Sequence, residues 1–109
     1  MSLDYLALDR AYAVYEEWGP IRRIAPKVRL AQAFPELNEP GIETLINTLD
    51  HVRRTVWAVA ELGGEPKLGR DKVVALLQDK HPFLKEEGLR RAIFLTNYYA
   101  WHEGYANSP

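Results

Sequence analysis

Hydrophobic residues recur every three or four positions along most of this chain, and turn residues divide the pattern into five segments. The longest segment repeats its apolar positions through several turns, as one face of a helix does. Gly-Pro, Phe-Pro, Gly-Gly and His-Pro pairs separate the segments, because glycine accommodates a left-handed turn and proline cannot continue a helix. No segment alternates strictly between apolar and polar residues, so no sheet is predicted. The pattern predicts a single all-α domain, a compact five-helix bundle with helices at about 3–18, 21–33, 41–62, 70–80 and 85–103 and a loop at 64–69.

Proline and glycine also mark a repeat with a period of 47 residues. In each copy a proline ends one helix, a leucine follows two positions later, and a glycine comes early in the next helix. The repeat predicts two helix–turn–helix hairpins, formed by the second and third helices and by the fourth and fifth, related by a pseudo-two-fold axis. Chance similarity between two ordinary helical corners is the alternative. The identical pairs are Leu30/Leu77, Pro35/Pro82, Leu37/Leu84, Glu39/Glu86, Gly41/Gly88 and Ile46/Ile93.

The turns of the two copies read Phe34-Pro-x-Leu and His81-Pro-x-Leu. Each resembles the Phe-Pro turn of ubiquitin-binding CUE domains over about a dozen residues. The helices that follow are longer than in that family, and no third short helix flanks them. The resemblance therefore implies a similar corner and no function, and no family is recognised for the whole chain.

Aromatic residues concentrate in the first and last predicted helices. Along the first helix, Asp9 and Glu16 define a narrow polar arc, and most of the remaining circumference is apolar. Two arrangements would cover so much apolar surface: the two helices pack together inside the monomer, or they meet a second chain as a homodimer or with another protein partner. The candidate interface residues are Tyr5, Tyr12, Tyr15, Phe94, Tyr98, Trp101 and Tyr105.

Paired arginines offer an alternative function. Arg90 and Arg91 fall in the first two turns of the last helix, where a DNA-binding helix–turn–helix protein contacts base edges. Glu86 and Glu87 precede them and would repel phosphate groups at the same place. A nucleic-acid-binding regulator is therefore the second hypothesis, behind protein association.

Composition and the absence of known motifs argue against several other classes of function. A formal net charge of -1 is unlike that of a dedicated polyanion binder, and the absence of cysteine excludes disulfides and thiolate chemistry. His51, His81 and His102 have no metal-ligand spacing, and no phosphate-binding loop or nucleophilic serine motif occurs. No apolar stretch is long enough for a membrane span, and no secretory signal is visible. We therefore expect a cytoplasmic, non-enzymatic interaction or regulatory protein with no cofactor and no metal.

Overall fold

The computed structural model describes residues 3–17 and 23–106, and within these ranges the protein is an all-helical, compact globule without strands. The described residues form six helices where the sequence predicts five, since the expected loop at 64–69 contains a short helix. The helices are α1 Tyr5–Tyr15, α2 Pro26–Ala33, α3 Glu39–Glu61, α4 Gly64–Leu68, α5 Arg70–Lys80 and α6 Glu87–His102.

The ends of α1 and α2 correct the predicted boundaries. The expected stop at Trp18 and the expected start of the second helix at Ile21 lie outside the described residues, but α1 already ends at Tyr15. Its last carbonyls, including that of Tyr15, accept hydrogen bonds from the buried guanidinium of Arg29. A cation at this position is favourable because the carbonyl end of a helix carries partial negative charge. Pro26 begins α2 as its first residue, which is where proline fits a helix without breaking it.

Helix α3 is the central element of the core and packs most extensively against α6, while α1 packs against both. Its apolar face is almost completely buried, as its spacing predicts. The polar arc expected on α1 is wrong, however. Asp9 is only 2% exposed and Glu16 only 8%, so both carboxylates lie inside the protein and need polar partners there.

Asp9 supplies the N-terminal cap of α6. Its carboxylate accepts the backbone N–H groups of Lys85, Glu86, Gly88 and Leu89 at 2.8–3.2 Å. These groups belong to the end of a helix where N–H donors have no partner within the helix. The carboxylate thereby joins α1 to α6, two helices that are far apart in the sequence.

The two corners marked by the repeat have nearly the same backbone geometry. Phe34 has φ −128° and ψ 67°, and His81 has φ −133° and ψ 75°. In each corner this residue donates its N–H to a leucine carbonyl four positions earlier, and its carbonyl accepts the N–H of a leucine three positions later. The side chains of both residues are buried. The corners therefore place an aromatic ring and a leucine in equivalent local positions.

The extra helix α4 is fastened to α6 by paired hydrogen bonds. The side-chain oxygen of Asn97 accepts the N–H of Glu65 at 2.9 Å, and its amide nitrogen donates to the Glu65 carboxylate at 2.9 Å. Gly63, with φ 106°, lets the chain turn out of α3 before α4 begins. Because these contacts join residues far apart in the sequence, the local Gly and Pro pattern predicts only a loop here.

Candidate interaction surface

Four neighbouring rings form a continuous series along α6, which we call the α6 aromatic face: Phe94, Tyr98, Trp101 and His102. The ring of Tyr98 lies at its centre, 6.4 Å from Phe94, 6.3 Å from Trp101 and 5.5 Å from His102 between centroids. The spacings of three and four residues place these side chains on one side of the helix. The opposite side, which includes Ala92, contributes to the core.

Three members of the α6 aromatic face are exposed. Phe94 is 46% exposed, Trp101 is 67% exposed, and the side chain of His102 is 58% exposed. Tyr98 is partly buried between them. Large apolar side chains that are contiguous and accessible distinguish an interaction surface from the scattered apolar residues of any protein surface.

The face extends onto α3 through Tyr99. The ring of Tyr99 lies 5.6 Å from Tyr98 and 4.9 Å from Trp57. Trp57 is 37% exposed and was not among the predicted interface residues. Its position away from the apolar stripe of α3 is the sequence signal that could have identified it, because a tryptophan off the core face needs another apolar neighbour.

The α1 part of the predicted interface is wrong at two positions. Tyr12 is completely buried and Tyr15 is 5% exposed, so neither can line a surface in the folded chain. The hydroxyl of Tyr12 donates to Glu16 at 3.0 Å, and that of Tyr15 donates to Asp50 at 2.6 Å. These two rings therefore lie inside the monomer, with their hydroxyl groups bonded to carboxylates.

The remaining two predicted interface residues, Tyr5 and Tyr105, do not belong to the α6 aromatic face. Tyr5 is 53% exposed, but its ring contacts Phe83, 6.4 Å away, and the ammonium group of Lys85 near the start of α6. It thus lies by the opposite end of α6 from Trp101. Tyr105 is partly buried in the turn after α6, where Ala106 donates its N–H to the carbonyl of Ala100.

The buried carboxylate of Glu16 joins a polar network with Tyr12 and Arg53. Arg53 donates to the Glu16 carboxylate at 2.5 Å, and this hydrogen bond raises the pKa of the arginine. Burial, followed by the charge of Glu16, raises the pKa of Tyr12. Burial and the hydrogen bond to Asp50 raise the pKa of Tyr15 to about 12. Both phenols therefore remain protonated donors at neutral pH, and the network fastens α1 to α3.

The predicted nucleic-acid contacts lie beside acidic groups. Arg90 is exposed, and Arg91 is partly buried with its guanidinium 5.8 Å from the centroid of Phe94. Both arginines line a shallow cleft that also contains Glu17 and Glu87. The negative charges reduce the attraction of this cleft for phosphate groups.

Within residues 3–17 and 23–106, no group of three or more histidine or acidic side chains is arranged to hold a metal ion. Among the described helices, none combines the length and apolar character needed to cross a membrane.

No protein-family model, curated protein or solved structure matches this chain.

Proposed function

We propose that this chain is a non-enzymatic interaction protein that pairs with a second copy of itself through the α6 aromatic face. The observation that carries the proposal is the exposure of Trp101 and Phe94 at the two ends of a continuous series of ring contacts. Aromatic side chains of this kind are enriched at protein interfaces and dominate their binding energy. Covering them would remove the largest exposed aromatic side chains of α6 from water.

A second copy suits this face because the face is nearly symmetric about its centre. Phe94 lies four residues before Tyr98, and Trp101 lies three residues after it. Two α6 helices packed antiparallel would therefore place Phe94 of one copy against Trp101 of the other, twice, across a two-fold axis. A self-complementary patch is what a two-fold dimer requires.

The size of the face limits the strength of the dimer. An aromatic side chain buries about 150–250 Å² when fully covered. About half of Phe94 and about a third of Trp101 are already covered within the monomer, so the α6 aromatic face with Trp57 supplies less than the roughly 800 Å² per partner of a standard interface. We expect a dimer that forms at high protein concentration and dissociates on dilution.

The proposal includes a pseudo-two-fold arrangement of the hairpins α2–α3 and α5–α6. Its support is the matching geometry of the corners at Phe34 and His81. In this arrangement α3 and α6 are equivalent helices, one forming the centre of the core and the other presenting the aromatic face. Superposition of the two hairpins on each other tests it, and a rotation far from half a turn would exclude the symmetry.

Light scattering across a wide range of protein concentration tests the association. The measured mass should rise toward twice the monomer mass, and Trp101→Ser should keep the chain monomeric. Leu6→Ser is the matched control, because Leu6 is 65% exposed on α1 and does not belong to the face. A wild type that stays monomeric at high concentration, or equal association of both variants, would contradict the proposal; circular dichroism checks that each variant folds.

The DNA-binding hypothesis is the weaker candidate, because Arg90 and Arg91 share their cleft with Glu17 and Glu87. It requires salt-dependent binding to duplex DNA that is lost in Arg90→Ala/Arg91→Ala. A mobility-shift assay at low salt decides this point. Absence of any shift would remove the hypothesis without affecting the dimer.

A further inference from the structure

A basic cleft lies between α3 and the corner that follows α5, apart from the α6 aromatic face. It is shallow and open to solvent, with a volume of 680 Å³ that is large enough for a small molecule. Four of its eight lining residues are arginine, lysine or histidine, and none is acidic. The lining residues are Thr48, His51, Arg54, Thr55, Ala58, Lys80, His81 and Phe83.

The fold brings the four basic residues together from two elements. His51 and Arg54 are three residues apart on α3, which places them on neighbouring parts of one side of the helix. Lys80 is the last residue of α5, and His81 is the corner residue that follows it. The ring nitrogen Nε2 of His81 lies 2.8 Å from the hydroxyl oxygen of Thr55, which fixes the corner against α3.

The two permanent cations of this cleft have no acidic partner. Elsewhere in the described residues, Arg53 pairs with Glu16 and Lys27 pairs with Glu39. Within the same described ranges, no carboxylate lies at ion-pair distance from Arg54 or Lys80. A group of like charges without a counter-charge repels itself and attracts anions from solution.

The basic residues of the cleft also affect the pKa of His81. Burial lowers its pKa, and the nearby His51 and Lys80 lower it further. The Thr55 hydroxyl oxygen lies 3.1 Å from the His51 carbonyl oxygen and 2.8 Å from Nε2 of His81, so it links α3 to the corner residue. His81 therefore supports the wall of the cleft, while the charges available to a ligand come from Arg54, Lys80 and, when protonated, His51.

We propose that this cleft binds the phosphate group of a small anionic ligand through Arg54, Lys80 and His51. Two permanent positive charges match a phosphate monoester, which carries about 1.5 to 2 negative charges at neutral pH, better than they match a single carboxylate. Arginine and lysine form strong, charge-assisted hydrogen bonds to phosphate oxygens. The cleft is larger than a phosphate group, which leaves room for the organic part of a phosphate ester beside Phe83 and Ala58.

Nuclear magnetic resonance of the three histidine rings tests the proposal directly. Addition of inorganic phosphate should shift the His51 and His81 ring signals in a saturable manner. His102 lies at the end of α6 and does not line the cleft, so its signal serves as an internal reference. Sodium chloride at matched ionic strength is the control for general screening.

Two variants locate the binding to the cleft. Arg54→Gln and Lys80→Gln should each weaken phosphate binding at least tenfold, whereas Arg90→Gln, which removes an exposed arginine elsewhere, should leave it unchanged. Equal shifts in chloride, a shift of His102 as large as that of His51, or unaltered binding by both cleft variants would overturn the proposal.

A comparison of two probes identifies the source of the phosphate. Glycerol 3-phosphate should bind more tightly than inorganic phosphate if the ligand is an ester that also fills the apolar part of the cleft. Equal or weaker binding of glycerol 3-phosphate would exclude the ester and assign the cleft to free phosphate.

Discussion

The carboxylate of Asp9 accepts hydrogen bonds from four backbone N–H groups at the start of α6, a helix that has no capping side chain of its own. In the first copy of the repeat, the corresponding cap is local, since the Asn38 side chain accepts the N–H of Gly41. The equivalent position in the second copy is Lys85, which has no acceptor to offer. Asp9 of α1 therefore caps α6, whereas α3 is capped by Asn38, the residue directly before it.

Asp9→Ala should lower the free energy of unfolding by about 3 kcal/mol, because it removes a charged acceptor and leaves buried N–H groups without a partner. Asp4→Ala is the matched control. Asp4 caps α1 through one hydrogen bond to Ala7 at an exposed site, so its loss should cost about 1 kcal/mol. Urea denaturation of both variants measures the difference, and equal losses would show that the Asp9 cap is no more important than an ordinary surface cap.

The lowered pKa of His81 predicts that the stability of the protein depends on pH. The pKa of this histidine is lowered from 6.5 by burial and by His51 and Lys80, whereas the unfolded chain protonates its histidines near 6.5. As the pH falls through this value, the unfolded state takes up more protons than the folded state, and the free energy of unfolding decreases. His81→Phe, which installs the residue of the equivalent corner, should make that decrease smaller. Denaturation in a phosphate-free buffer at pH 7.5 and 5.0 tests this, with His102→Gln as the control; an unchanged pH dependence in His81→Phe would contradict it.

At the scale of elements, the two corners explain why glycine occurs at the same position of both copies. Gly41 and Gly88 each lie in the first turn of a helix, against the group that caps it. A β-carbon at Gly88 would overlap the backbone of Asp9, which belongs to another helix. At Gly41 it would meet the Asn38 side-chain oxygen at 3.1 Å, a contact that a small side-chain movement relieves.

Alanine at these two glycines should therefore have different effects. Gly88→Ala should lower the free energy of unfolding by about 2–3 kcal/mol, because α1 and α6 must separate to accommodate the methyl group. Gly41→Ala should change it by less than about 1 kcal/mol, since the preference of alanine for a helix offsets the close contact. Thermal unfolding of the pair provides the measurement, and a loss in Gly41→Ala as large as that in Gly88→Ala would contradict the difference between the local and the distant cap.

Some helix boundaries follow from local sequence, and others depend on residues that are distant along the chain. The predicted range of α5 is confirmed, because a glycine before Arg70 and a proline after His81 fix its ends locally. Helix α4 and the early end of α1 depend on Asn97 and Arg29, which are distant in the sequence. In the sequence, Asp9 and Glu16 resemble solvated residues, because the backbone N–H groups that bond to Asp9 and the arginine that pairs with Glu16 are distant along the chain. The missing cap at Lys85 and Glu86 is the one local sign that a carboxylate had to come from elsewhere.

At the scale of the whole molecule, the aromatic rings divide between two roles that the sequence could not separate. The Tyr15 hydroxyl donates to Asp50 and joins α1 to α3, while the Tyr12 hydroxyl donates to Glu16, whose carboxylate accepts from Arg53 of α3. Phe94 and Trp101 stand on the outer side of α6, because the opposite side of that helix is already occupied by the core. The same residue types thus serve packing on one helix and, in our proposal, association on another.

A single introduced cysteine can test the antiparallel geometry of the proposed dimer. The chain contains no cysteine, so any disulfide must join two copies at the introduced position. Tyr98→Cys places the thiol near the two-fold axis, where two β-carbons come close enough for a disulfide, and oxidation at high protein concentration should give a covalent dimer. Leu6→Cys, at a more exposed position that is remote from the α6 aromatic face, should nevertheless cross-link much more slowly. Non-reducing electrophoresis after timed oxidation compares them, and equal rates would show that the copies collide at random and that α6 does not pair with itself.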